Sequence, residues 1–106
     1  MTRKEDILRR IKQTIVEVMP QDTHVILFGS QARGDARVDS DWDILILLDK
    51  SELEETDFDN YAYPLFELGW KLDVQIHPIM YTLKDWADRN FSLLYKNIER
   101  EGITLC

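Results

Sequence analysis

Two short, almost unbroken apolar runs limit what this chain can fold into: His24-Val25-Ile26-Leu27-Phe28 and Ile44-Leu45-Ile46-Leu47-Leu48. Each is far too short to cross a membrane, and neither alternates with polar residues as a half-solvated strand would. Both read as strands buried on two faces. A third run, Leu72-Asp73-Val74-Gln75-Ile76-His77, does alternate and predicts a half-buried strand.

Helical patterns surround these runs. Ile7, Leu8, Ile11, Ile15 and Val18 recur at spacings of three and four, with Thr2 and Glu5 placed as a capping box and Pro20 as a stop. Residues 52–70 predict a mostly helical segment that Pro64 starts or kinks and Gly69 ends. Leu83 to Arg100 predicts one more helix. The expected fold is α/β (α+β): a small mixed sheet of three to four strands with helices packed against it, as one domain over residues 1–106.

Composition narrows the function classes. The net charge is −7, and residues 35–59 hold ten acids against two bases, a local balance of −8. Such a surface repels a phosphate backbone, so general nucleic-acid binding is not expected; it attracts cations or a basic partner. No apolar run approaches the roughly 20 residues of a membrane span. With no apolar leader at the start and a lone Cys106 at the end, a cytoplasmic protein without disulfides is expected.

The chemistry is concentrated where the strands begin and end. The first buried run stops at Gly29-Ser30-Gln31-Ala32-Arg33-Gly34-Asp35. Glycine permits a sharp turn and a close ligand approach, and free N–H groups with the Ser30 hydroxyl make a phosphate seat. Arg33 adds a fixed positive fork. A Walker loop would need Lys-Ser/Thr after Gly34, where Asp35-Ala36 stands, so that motif fails.

Asp39-Ser40-Asp41-Trp42-Asp43 leads into the second run. Asp41 and Asp43 are two apart, so on a strand both point to one face, where two like charges invite a divalent cation. Oxygen-only ligands favour magnesium or manganese. An EF-hand starting at Asp39 is excluded, because its sixth position is Ile44 and its twelfth Lys50. Asp73, read as opening the third strand, is expected beside this pair as a third carboxylate for a two-metal site. His77 could reach the metal face, but as a strand-end histidine before Pro78 it is read as structural.

Together these blocks resemble the DNA polymerase beta-like nucleotidyltransferases, and in particular their minimal, single-domain group. The resemblance rests on Gly29-Ser30-x-Ala32-Arg33-Gly34-Asp35, on Ser40-Asp41-x-Asp43 and on Leu72-Asp73-Val74, and covers most of the chain. It implies that Gly29 and Ser30 hold the terminal phosphates of a nucleoside triphosphate, ATP before others, with Arg33 in support. Asp41 and Asp43 would bind two Mg2+ ions, replaceable by Mn2+, and Asp73 would join them as ligand and general base. Catalysis would move AMP to an acceptor hydroxyl and release pyrophosphate. The minimal group often pairs with HEPN-type toxins, so a HEPN-type partner and an antitoxin role are implied too. The alternative is a non-catalytic module that neutralises such a partner by contact. The small core and an exposed strand edge favour a homo- or hetero-oligomer.

Overall fold

The structure, a computed structural model, describes residues 2–106. Helix α1 (Arg3–Val18) begins where the sequence predicts, with the Glu5 N–H donating to the Thr2 hydroxyl at 3.1 Å. Acidic Glu5 and Asp6 in its first turn suit the positive end of the helix dipole. Ile7, Ile11 and Ile15 are buried, four apart, on one stripe. The helix closes with the Met19 N–H on the Ile15 carbonyl, just before Pro20.

Four strands follow: β1 (His24–Phe28), β2 (Trp42–Leu48), β3 (Ile76–Thr82) and β4 (Ile103–Thr104), in the spatial order β3-β2-β1-β4. β1 runs antiparallel to β2 and β4, whereas β2 and β3 run parallel, so the sheet is mixed. Its two central strands are the two apolar runs. On one face Val25, Leu27, Ile44, Ile46 and Leu48 join Ile7, Ile11 and Ile15 of α1 and Leu65 and Leu68 of the crossover helix α4 (Tyr63–Leu72). On the other, Leu45 and Leu47 meet Trp86 of α5 (Leu83–Asp88) and Ile98 of α6 (Leu93–Glu101). Every residue from Ile44 to Leu48 is buried. Each such side chain contributes about 1.5–3 kcal/mol, which is why both faces of these strands are written in aliphatic residues.

One local expectation is met and two are corrected. The segment after β2 is mostly helical and Pro64 starts a helix in it, but a short α3 (Glu55–Asp57) first passes into a π-helical turn, Phe58–Ala62, before α4. Pro64 sits at the start of α4 and has no N–H to close an ordinary turn onto residue 60, so the wider turn precedes it. Gly69 lies inside α4 and does not end it; a Cβ there would press on the Val74 carbonyl, so glycine lets the helix approach the chain entering β3. The last predicted helix is divided in two, because Ser92 caps a new start at α6 by accepting from the Tyr95 N–H at 3.1 Å. Among the described residues no helix is long and apolar enough to cross a membrane.

Candidate active site

The antiparallel register places Phe28, the last residue of β1, opposite Asp43 near the start of β2. The turn after β1 therefore lies against the beginning of β2. Gly29 takes φ 77° and ψ −159°, a conformation that side chains resist. A Cβ at Gly29 would also collide with the Asp43 carboxylate. Glycine is thus required twice at this position, for the backbone and for the neighbouring acid.

Helix α2 (Ser30–Arg33) follows, and Gly34 closes it at φ 86°, its N–H bonding the Ser30 carbonyl at 3.0 Å. The first N–H groups of such a turn have no partner inside it and face whatever lies beyond β1. Gln31 is buried, and its Nε2 donates to the Ser40 carbonyl at 3.3 Å. That bond fastens the turn after β1 to the loop carrying the carboxylates. Sequence reasoning missed it, because nothing in a lone glutamine between Ser30 and Ala32 marks a tether.

Asp41 and Asp43 flank Trp42, whose ring goes into the α1 side of the core. The two carboxylates therefore share the opposite face, Asp41 exposed and Asp43 half-buried. Burial first, and the Asp41 charge second, push the Asp43 carboxyl above its ordinary pKa; His77 and Arg33 pull the other way. A charged group held against both burial and repulsion is a group that gains from a cation. This donor chemistry fits a hard divalent ion.

The third carboxylate is placed elsewhere. Asp73 does not open β3; it is the residue that ends α4, in the left-handed conformation at φ 57°. Its N–H and that of Val74 both return to the Gly69 carbonyl, closing the helix. Aspartate tolerates this conformation better than most side chains, so Asp73 has a conformational task of its own. Asp73 lines a groove of about 340 Å³ together with Asp39, Ser40, Trp70 and Gln75, and neither Asp41 nor Asp43 belongs to that lining. The expected cluster of three carboxylates is not formed, and among the described residues no three Asp, Glu, His or Cys side chains are gathered into a metal site.

The neighbours across from the pair are different residues. The Trp42 N–H donates to the Gln75 carbonyl at 2.8 Å, and the parallel register sets His77 opposite Asp43. His77 Nε2 lies 3.9 Å from Asp41 Oδ2. Arg33 is turned toward Asp35 and Glu101, each at 3.2 Å, and its guanidinium is raised chiefly by the Asp35 hydrogen bond. To hold a phosphate it would exchange one carboxylate partner for another anion.

Comparison with known proteins bears on the family and the fold. The model of the nucleotidyltransferase domain family matches residues 8–104. A crystal structure of a toxin-antitoxin with AMP-PNP is similar at 21% identity and TM-score 0.64, covering 93% of this chain and 72% of that one. The tri-AMPylated HEPN toxin of Shewanella oneidensis in complex with MNT antitoxin gives 17% identity and TM-score 0.59, with 97% and 71% covered. The toxin-antitoxin MntA-HepT gives 18% and 0.59, with 96% and 71% covered. At these identities the likeness shows the fold. No curated protein sequence matches.

Proposed function

Because the chain belongs to the nucleotidyltransferase domain family, we propose that it transfers a nucleoside monophosphate, AMP before others, from a nucleoside triphosphate to an acceptor hydroxyl. The single observation that carries this reading is the contact between Gly29 and the Asp43 carboxylate, which joins a phosphate-type turn to a carboxylate pair. Asp41 and Asp43 would hold divalent metal, Mg2+ in two ions or Mn2+ in its place, and the metal would supply charge neutralisation at the phosphates. The Gly29-Ser30 turn seats the terminal phosphates, and Arg33 steadies them. A bond forms between the acceptor oxygen and the α-phosphorus as the bond to pyrophosphate breaks, and the acceptor proton passes to Asp73 across the groove. Positioning and charge, rather than covalent chemistry by the protein, carry the step.

The toxin-antitoxin assemblies among the structural neighbours support a protein acceptor of the HEPN type and an antitoxin role, in a hetero-complex. A second reading is a module that neutralises its partner by contact alone. It is favoured by the aromatic residues Phe58, Tyr63 and Trp70, left exposed along the π-helical turn and α4, with Tyr63 and Trp70 stacked edge-on at 5.8 Å. Labelled triphosphate and the copurified partner separate the two. The first reading expects a covalent mass increase on the partner that needs triphosphate and metal, and at least about a thousandfold loss in the Asp41→Asn, Asp43→Asn double variant. Undiminished transfer by that variant would sink the assignment; neutralisation without any mass increase would establish the second reading.

A further inference from the structure

We infer that His77, rather than Asp73, completes the metal-holding set with Asp41 and Asp43, which makes this a mixed carboxylate-imidazole site; the inference rests on the nucleotidyltransferase reading of the same residues. Three observations converge. The parallel register puts His77 on the strand beside Asp43, and paired residues on neighbouring strands present their side chains to the same face. The alternation of β3 then sends Ile76 and Pro78 into the core and leaves His77 out with the acids. Finally, two donors on one ion, each about 2.1 Å from it, lie no more than about 4.2 Å apart. The 3.9 Å between His77 Nε2 and Asp41 Oδ2 falls inside that limit and is too long for a hydrogen bond.

The three side chains do not yet surround a common point. His77 and Asp41 are 51% and 48% exposed, so both have room to turn toward an ion. Asp73 has no such freedom of place. Its backbone is fixed in the left-handed conformation at the end of α4, outside β3 and its register with β2. An imidazole in place of a third carboxylate lowers the negative charge of the set. It also favours manganese, cobalt or zinc over magnesium, since nitrogen suits the transition ions and magnesium prefers oxygen.

The test is electron spin-echo spectroscopy of Mn2+ bound to the untagged protein, with and without AMP-PNP. A nitrogen-14 coupling is expected in the parent. It should persist in Asp73→Asn and in His24→Gln, and vanish in His77→Gln. His77→Asp, which restores an oxygen-only set, should lower the preference for Mn2+ over Mg2+ by about tenfold in competition titrations. Bound Mn2+ without nitrogen coupling, coupling that survives His77→Gln, or no bound Mn2+ under either condition would each overturn the inference. Nucleotide transfer is measured in parallel. Coupling without transfer leaves the inference standing and removes the proposed function, whereas transfer without coupling does the reverse.

Discussion

Asp43 and Asp57 both belong to the acidic stretch, yet they mark opposite ends of β2 and opposite uses of a carboxylate. Asp57 is buried and fully answered: Lys50 Nζ stands 2.8 and 3.1 Å from its two oxygens, and the Glu54 N–H donates to it at 2.8 Å. The Lys50 hydrogen bond holds its pKa below the usual carboxylate range. Asp43 has burial and a like charge beside it, and its pKa is pushed up. The first arrangement closes a capping box and fixes the chain after β2. The second keeps a charge that no cation among the described residues pairs with directly, next to the Gly29-Ser30 turn. Net charge alone, −8 over both, hides this difference; the presence or absence of a cation within the fold reveals which acid is structural.

The largest expected effect comes from filling the space at the open end. Gly29→Ala must adopt a disfavoured backbone and displace the Asp43 carboxylate, together a loss of about 3 kcal/mol. Gly34→Ala has a positive φ too, but in the ordinary left-handed region at ψ 10°, and meets nothing within 4 Å of the added Cβ, so about 1 kcal/mol is expected. Urea unfolding of both variants measures the difference. Equal losses would mean that neither the backbone at Gly29 nor Asp43 packed against the turn resists a side chain there.

At the closed end, Asp57→Ala removes the partner of Lys50 and of the Glu54 N–H, with an expected loss of about 2 kcal/mol. Its depressed pKa means that the contribution is present above the unfolded value of about 3.9 and fades as pH falls through the folded one. Variant and parent should therefore converge in stability at strongly acid pH. A constant gap across the acid limb would show that packing, not charge, explains the loss. Metal binding should be unchanged, since the pair lies at the other end of β2.

What could be read in advance follows from how far each feature reaches along the chain. The strand at 44–48 announces itself because burial on both faces demands an unbroken apolar run; 24–28 reads the same way, although only Val25 and Leu27 are fully buried, Ile26 and Phe28 are partly so and His24 is exposed. Asp41 and Asp43 could be assigned to one face because the period of a strand is local. Asp73 could not, and His77 could be read only as within reach of the metal face. Which residue of β3 stands beside Asp43 depends on where α4 ends, and α4 runs through Gly69 to Leu72, past the apparent stop. Leu72-Asp73-Val74 imitates a strand's alternation while serving as a helix end. A start four residues later for β3 leaves the acid outside the strand and sets a histidine opposite Asp43. The Gln31 tether was equally hidden, since it depends on the fold of two loops.

The smallest effect isolates the unanswered charge itself. Asp43→Asn keeps the shape of the side chain and removes its charge, so the metal-free fold should become slightly more stable at neutral pH. Discounted for solvent screening, the gain is a few tenths of a kcal/mol, roughly 1–3 °C in a chain of this size. Because the folded pKa of Asp43 lies above the unfolded one, the parent is penalised only where the group is ionised. The gain should shrink as pH falls through the folded value and disappear near the unfolded value of about 3.9. Scanning calorimetry in EDTA across this range measures it, and added Mn2+ should reverse the order by stabilising the parent alone. A variant less stable than the parent in EDTA would mean that Asp43 is answered within the fold after all, and the contrast with Asp57 would collapse.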